Sequence, residues 1–149
     1  MTLSDQETLQ INQALFSITH AYEARMLEEN PPEKTGMTIF DCAVLMVIGQ
    51  CNPIQSSELA RRMNVKPSTI SIYIKRLMKK GLVRMERDER DRRTWWLYLT
   101  NPGKIAYRMV IKGTVQYTRD FLSSLTEEES KALHGLLHKL SHSLGFTWQ

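Results

Sequence analysis

The chain has 149 residues, of which 42% are hydrophobic and 24% charged, a balance typical of one soluble globular domain over residues 1–149. No run of 18 apolar residues is present, and the first residues, MTLSDQET, lack the basic and apolar regions of a signal peptide, so we expect a cytoplasmic protein and no membrane partner. The net charge of +4 is modest, but it is unevenly distributed along the chain.

The N-terminal segment predicts a long amphipathic helix. Ser4 and Glu7 form a capping box, and the helix that follows over residues 5–29 carries apolar residues every three or four positions. Asn30 and the two prolines after it end this helix, because proline cannot continue one. An apolar stripe on a terminal helix needs a surface to cover it, and we expect that surface to be a partner subunit.

After a predicted loop over residues 31–37, the sequence indicates a central core helix. Residues 39–51 are apolar on most sides, which is typical of a helix surrounded by other elements. Cys42 and Cys51 lie nine residues apart on it, too far for a disulfide between them. We predict buried free thiols, with a redox-active cysteine as the open alternative.

The middle of the chain has the element order of a helix-turn-helix followed by a β-wing. A short helix, a turn and a basic helix precede a glycine, and two strands then flank a charged tip. The predicted elements are helix 57–63 capped by Ser56, helix 67–80 ended by Gly81, strand 82–85, tip 86–94 and strand 95–100.

The C-terminal third predicts two more helices. One begins near Thr100 and runs to about Ser123. The second follows a capping box formed by Thr126 and Glu129 and carries a leucine stripe. The predicted fold is therefore mainly α with a small β-wing.

The basic helix separates into two faces when its residues are placed at 100° intervals. Its inward face is apolar and comprises Ile70, Tyr73, Ile74 and Leu77. Its outward face combines hydroxyl and cationic groups with one apolar residue, which suits phosphates, base edges and a thymine methyl group. We predict that this face enters a major groove, with a solvated basic surface as the alternative; it comprises Ser68, Thr69, Ser71, Ile72, Lys75, Arg76 and Lys79.

Positive charge is concentrated around these elements. Residues 56–93 contain twelve Lys and Arg against five Asp and Glu, so this segment carries +7 while the other 111 residues carry −3. This asymmetry indicates a local face for a polyanion. We predict phosphate or groove contacts from Arg61 and Arg62 on the short helix and from Arg90, Arg92 and Arg93 on the wing tip.

Arg93 is the residue that we expect to enter a minor groove. A narrow minor groove is electronegative and attracts arginine. Asp91, two residues earlier, is predicted to hold the guanidinium of Arg93 in a fixed pose through a bidentate pair. An ordinary charged hairpin tip is the alternative.

Several short motifs occur in a specific order, although each is loose alone. They are Ser57-Glu58-Leu59-Ala60, Ser68-Thr69-Ile70-Ser71, Lys80-Gly81-Leu82-Val83-Arg84, Asp91-Arg92-Arg93, and Leu97-Tyr98-Leu99-Thr100 followed by Gly103. On these residues the chain resembles the MarR family of winged-helix transcriptional regulators. Two positions depart from the family pattern: Ile72 stands where arginine is frequent, and Lys75 where a polar or acidic residue is frequent.

The resemblance implies an architecture and a set of partners. A winged helix-turn-helix, residues 38–100, would be flanked by dimerisation helices over residues 5–30 and 101–146. The homodimer would bind a palindromic operator on double-stranded DNA, in most members as a repressor. A small aromatic or amphipathic effector would bind between the dimer helices and the winged domain, and no cofactor is implied.

Two other functions remain open from the sequence. The first is a winged-helix module that binds protein, whose outward face would be more aromatic and less basic. The second is a metal-responsive regulator, because His134, His138 and His142 recur every four residues. No nucleophile elbow, phosphate-binding glycine loop or metal-type cysteine cluster is present, so we do not expect an enzyme.

Overall fold

The computed structural model describes residues 2–29 and 31–147, which form two units divided between Ile39 and Phe40. Asn30, predicted to end the first helix, lies outside the described residues. The elements in chain order are α1 (Asp5–Glu29), α2 (Pro32–Thr35), α3 (Ile39–Cys51), β1 (Ile54–Gln55), α4 (Ser56–Arg62), α5 (Pro67–Lys79), β2 (Val83–Arg87), β3 (Trp95–Leu99), α6 (Asn101–Phe121) and α7 (Glu127–Ser143).

The N-terminal unit contains α1 and α2. The predicted capping box is confirmed, because the backbone amide of Ser4 donates to Glu7 Oε2 at 2.8 Å and the amide of Glu7 donates to Ser4 Oγ at 3.3 Å. The hydrogen bonds from the Ser4 hydroxyl and amide lower the pKa of Glu7. The loop predicted over residues 31–37 was wrong in part: Pro32 begins the one-turn helix α2, and Gly36, at φ 66°, ends it.

The second unit is built around α3, as the sequence predicted. Val44, Leu45 and Ile48 of α3 are fully buried. The helix-turn-helix and the sheet supply the remaining core residues of this unit, among them Leu59, Met63, Ile70, Ile74, Leu77 and Leu97. Ser56, predicted to cap the short helix, is instead its first residue, and Gln55 takes the capping position without a side-chain hydrogen bond.

The sheet has three antiparallel strands in the order β1-β3-β2, so the strand after the wing tip is central. Ile54 of β1 pairs with Leu97, and the wing strands align Val83 with Leu99 and Arg87 with Trp95. Because side chains alternate along a strand, β3 has one face toward the core and one toward solvent. The order of elements predicted for the wing is confirmed.

A close backbone approach joins the wing to α6. The hydroxyl of Thr100 accepts from the amide of Gly103 at 3.0 Å and donates to the carbonyl of Gly81 at 2.5 Å. The amide of Thr100 donates to the carbonyl of Leu82 at 3.1 Å. A Cβ at position 103 would lie 1.9 Å from that same carbonyl oxygen, so only glycine fits here.

The end of α7 contacts the turn of the helix-turn-helix in the same unit. Asn64, at φ 52°, lies in this turn, and its Nδ2 donates to the carbonyl of Leu144 at 2.8 Å. A second hydrogen bond runs from the amide of Thr147 to the carbonyl of Arg62 at 3.4 Å. The side chain of Asn64 thus satisfies a carbonyl that the end of a helix leaves without an intrahelical partner.

Within the described ranges, we find no helix with both the length and the apolar character needed to cross a bilayer.

Candidate nucleic-acid interface

Helix α5 presents the two faces that its sequence predicts. Ile70, Ile74 and Leu77 are buried, and the ring of Tyr73 packs against that of Phe40 with 4.4 Å between centroids. Pro67 occupies the first turn, where its missing N–H costs no hydrogen bond, and Gly81, at φ 73°, follows the end of the helix. The inward face is therefore fixed by packing, and this sets the direction of the opposite face.

The outward face is exposed and chemically mixed. Ser68, Ser71, Lys75 and Lys79 are exposed, and Ile72 stands among them with 58% of its surface accessible. Thr69 is half-buried at the margin. Hydroxyl donors, two ammonium groups and one aliphatic side chain on a single helix face match the groups that line a major groove.

Arg76, predicted to lie on this face, is half-buried and pairs with another helix, and its contact with DNA stays a prediction. Its Nη2 lies 2.7 Å from Oδ2 of Asp41, a residue of α3 that is fully buried. The guanidinium carbon also lies 5.8 Å from the ring centroid of Tyr73. A buried carboxylate in an apolar helix requires a cation or hydrogen-bond donors, and Arg76 provides them. This arginine fastens α5 to α3.

The two arginines of α4 are also engaged, which weakens their predicted role as phosphate contacts. Both Oε atoms of Glu58 accept from Arg61, at 2.8 and 2.6 Å, and Oε1 also accepts from Arg62 at 2.9 Å. These hydrogen bonds, first from Arg61 and then from Arg62, lower the pKa of Glu58 to about 2. The cluster offers one net positive charge, with the Arg61 side chain 59% exposed and that of Arg62 only 21%.

Backbone hydrogen bonds to two aspartates organise the wing tip. Oδ1 of Asp88 accepts from the amides of Arg90 and Asp91, each at 2.8 Å. Oδ1 of Asp91 accepts from the amide of Arg93 at 3.0 Å, and its Oδ2 accepts from the hydroxyl of Thr94 at 3.0 Å. The predicted pair between the Asp91 carboxylate and the Arg93 guanidinium was therefore wrong, because Asp91 holds the backbone of the turn.

The same turn leaves the tip arginines facing solvent. Arg90, Arg92 and Arg93 are all exposed, and none of them forms an ion pair with a tip carboxylate in the part of the chain that the structure describes. Residues 88–93 also hold three carboxylates, so the tip is close to neutral overall, but it presents three exposed guanidinium groups on a turn with a fixed backbone. Such a turn suits a narrow groove between phosphate strands.

Aromatic residues occupy both faces of the wing. Trp95 and Met85 lie on the inner face and line a groove shared with Ser71 and Ile74 of α5. Trp96 lies on the outer face, where its Nε1 donates to Oδ2 of Asp88 at 2.9 Å.

Charged side chains cover the outer face beside Trp96. Arg84 places its guanidinium 4.2 Å from the ring centroid of Tyr98 and pairs with Glu86. Together with Trp96, these side chains form one contiguous outer surface on β2 and β3.

Comparison with known proteins agrees with this geometry. The profile of the MarR family matches residues 37–95, which include the helix-turn-helix and the beginning of β3. Over 143 residues the chain is 32% identical to the HTH-type transcriptional repressor MdtR of Bacillus subtilis, and the match covers 96% of this chain and 91% of MdtR. The chain belongs to the MarR family of transcriptional regulators.

Solved structures support the fold of this MarR-family regulator. FabT of Streptococcus pneumoniae, in complex with DNA, superposes with a TM-score of 0.78 at 22% identity, covering 92% of this chain and 96% of FabT. BpsR of Bordetella bronchiseptica superposes with a TM-score of 0.77 at 22% identity, covering 89% of this chain and 98% of BpsR. At these identities the comparison shows a common winged-helix architecture.

The histidine ladder of the MarR-family chain does not come together as a metal centre. His134, His138 and His142 are exposed on α7, with 6.2 Å between the ring centroids of the first two. Across residues 2–29 and 31–147, no three potential protein ligands converge on one point. Burial, and then the charge of Asp41, raise the pKa of Cys42, which disfavours the thiolate that a redox sensor needs.

The sequence interpretation missed the hydrogen bond by which Trp96 of β3 and Asp88 hold the wing tip. A tryptophan on the solvent face of a strand carries one N–H that requires an acceptor, and an aspartate one residue beyond the paired strand is within reach. Asp88 and Trp96 are eight positions apart on opposite sides of the predicted hairpin, and this spacing could have indicated that they form a pair.

Proposed function

We propose that this MarR-family protein is a dimeric, sequence-specific transcriptional repressor that reads DNA with α5 in the major groove and with the wing tip in the adjacent minor groove. The observation that carries the proposal is the exposed face of α5, in which Ser68, Ser71 and Ile72 combine with Lys75 and Lys79. The 32% identical relative MdtR, named a repressor, supports the direction of regulation. A protein with this task works where genomic DNA lies, in the cytoplasm.

A homodimer is supported by apolar side chains that one chain leaves uncovered. Exposed apolar stripes of this kind on helices are typical of an interface between subunits. The exposed residues lie on three helices: Ile11, Leu15, Phe16 and Ile18 on α1, Ile105 and Met109 on α6, and Leu136, Leu137, Leu140 and Leu144 on α7. Two copies related by a twofold axis would present two α5 helices to a palindromic operator, roughly 34 Å apart.

Regulation by a small molecule is the second part of the proposal. The solved structure of BpsR concerns control of its DNA binding by 6-hydroxynicotinic acid, and RdhR was solved with 2,4-dichlorophenol. For this protein we propose an aromatic or amphipathic effector of unidentified structure and no resident cofactor. Such a ligand would act through a higher affinity for a dimer whose α5 spacing does not match the operator.

Selection of duplexes from a randomised pool tests DNA recognition directly. We expect a palindromic consensus, and we expect the affinity for the selected duplex to fall steeply between about 50 and 200 mM salt, because bound cations are released from phosphates. A winged-helix module that binds protein is disfavoured by the basic, hydroxyl-rich face of α5. Recovery of no consensus and no salt-sensitive complex would reject the DNA function and favour that alternative.

Arg93→Ala is expected to weaken binding to the selected duplex by about 1–3 kcal/mol, because it removes an arginine assigned to the minor groove. The matched control is Lys139→Ala, which removes one exposed positive charge from α7. Fluorescence anisotropy at fixed salt measures both. Equal affinities for the Arg93 variant and the wild-type protein would place the wing tip outside the groove.

Ile72→Ala is expected to change base preference at one position of the half-site more than it changes the salt dependence, because an aliphatic side chain reads a thymine methyl group and no phosphate. The control is Met78→Ala, which shortens an exposed apolar side chain of α5 outside the outward face. Repeated duplex selection with each variant gives the preference. A changed salt slope with an unchanged consensus would assign Ile72 to the DNA backbone.

A further inference from the structure

The outer face of the wing carries a hydrogen bond that the DNA-binding proposal does not by itself explain. Trp96 lies on the central strand β3, on the face opposite the buried residues Leu97 and Leu99. Its indole N–H donates to Oδ2 of Asp88 at 2.9 Å, while the other oxygen of Asp88 receives the amides of Arg90 and Asp91. One carboxylate therefore links the outer face of the sheet to the backbone of the tip.

The link continues to the end of the turn. Asp91, whose amide is held by Asp88, accepts in turn from the amide of Arg93. The carbonyl of Thr94 accepts from the amide of Asp88 at 2.9 Å and closes the tip where β3 begins. A chain of hydrogen bonds thus runs from the indole to the backbone of the arginine assigned to the minor groove.

We propose that Trp96 and Asp88 are positioning residues for operator binding, which fix the wing tip so that its arginines are presented to DNA in one backbone conformation. The inference rests on the proposed role of the wing in the minor groove. It goes beyond that role because neither side chain is itself assigned a contact with DNA.

Entropy explains why such a fixed tip helps binding. A free turn loses backbone freedom when it docks, at about 1–2 kcal/mol per residue, and that cost reduces the affinity. A tip already held by its own hydrogen bonds has lost this freedom on folding. The indole contributes a rigid donor. Its ring is half-buried, and Trp96 is paired across the strands with Glu86 of β2.

The hydrogen bond between Trp96 and Asp88 lies away from the core, so its effect on the tip can be distinguished from an effect on overall stability. The buried core of the wing lies on the other face of β3, at Leu97 and Leu99. The Asp88 carboxylate is stabilised as the anion, since the Asp91 amide, the indole and the Arg90 amide together lower its pKa. Removing the indole N–H while keeping an aromatic ring at position 96 should therefore loosen the tip and leave the core packed.

The test compares Trp96→Phe with Tyr98→Phe. Both keep an aromatic ring on the outer face of β3, but the Tyr98 hydroxyl forms no hydrogen bond among the described residues, so its loss serves as the control. With a duplex selected by the wild-type protein, we expect Trp96→Phe to lose about fivefold to tenfold in affinity, within the range that one typical intramolecular hydrogen bond contributes. Thermal unfolding of the two variants should remain cooperative, with midpoints within about 4 °C of each other, because the core of the wing is untouched, and Tyr98→Phe should bind as the wild-type protein does.

A second background shows whether Trp96 acts through the arginines. In an Arg90→Ala/Arg93→Ala protein, a positioning residue has little left to position, so we expect the loss caused by Trp96→Phe to shrink to less than about twofold. An equal loss in both backgrounds would assign Trp96 a structural role and overturn the inference. Asp88→Asn, which replaces one acceptor oxygen by a donor, should reproduce the Trp96→Phe result and gives an independent variant if the first folds poorly.

Failure of the inference and failure of the wing proposal give different results. If Arg90→Ala/Arg93→Ala binds as tightly as the wild-type protein, the proposed minor-groove contact of these two arginines is wrong. If that variant binds weakly while Trp96→Phe and Asp88→Asn bind normally, the wing contacts DNA and the positioning role is wrong.

Discussion

Replacing Gly103 by alanine is expected to lower the free energy of unfolding by about 3 kcal/mol, near the upper end of the cost of overpacking. The new Cβ would lie 1.9 Å from the carbonyl oxygen of Leu82 and 2.9 Å from its carbonyl carbon. Both are backbone atoms at the beginning of the wing, so no side chain can rotate away. Relief requires that α6 move from the wing, and this disrupts the hydrogen bonds of Thr100.

Urea unfolding monitored by circular dichroism measures this loss. Gly113→Ala is the control within the same helix, because no atom of the described residues beyond its own turn of helix lies within 4 Å of a Cβ at that position. Alanine has the higher helix propensity, so we expect the control to gain as much as about 1 kcal/mol. Similar midpoints for the two variants would mean that the junction between the wing and α6 is looser than the structure indicates.

Replacing Arg76 by methionine is expected to cost about 3 kcal/mol of stability, because removing this cation leaves a buried carboxylate poorly compensated. The partner here is Asp41, which has no exposed surface. Methionine keeps most of the aliphatic length of arginine, so the loss reports on the charge more than on packing.

Lys75→Met is the matched control for this variant, since Lys75 is the exposed neighbour of Arg76 on α5 and is turned by about 100° from it around the helix. We expect it to change the unfolding free energy by less than about 0.5 kcal/mol, as surface substitutions commonly do. The double variant Asp41→Asn/Arg76→Met should recover part of the loss, because the buried negative charge that lost its cation is then gone. No recovery would indicate that packing of the arginine stem is the larger effect.

Periodicity was sufficient to predict the backbone plan of this protein. The apolar spacing of Ile70, Ile74 and Leu77 assigned the inward face of α5 correctly, since a helix buries the side on which apolar residues recur. Pro67 and Gly81 marked the ends of that helix for reasons of backbone geometry. The element order from α4 to β3 followed from the same local signals.

Two of the errors concern side chains whose partners lie at short range. Glu58 reaches both Arg61 and Arg62 because residues three and four apart on a helix are neighbours, and a count of net charge does not detect this. Asp91 binds the amide two residues ahead, a local bond that aspartate forms readily in turns. Helical angles alone therefore overstate the number of free cations.

Arg76 illustrates a different limit. Its angle on α5 lies between the two faces, so its side chain can either face solvent or pair with a carboxylate on a neighbouring helix. That neighbour is Asp41, 35 positions earlier in the chain, and only the packing of α3 against α5 brings the two together. A carboxylate in the most apolar helix was the signal that a long-range cation was required.

The hydrogen bond from Asn64 to the carbonyl of Leu144 has a consequence for the order of folding. It joins residues 80 positions apart, and bringing them together costs the entropy of closing that loop. The contact therefore becomes favourable only after the intervening helices and strands have folded. The helix-turn-helix itself depends on contacts between near neighbours in sequence. We therefore expect α4 and α5 to form early in refolding, and the last turn of α7 to dock onto Asn64 in a late step.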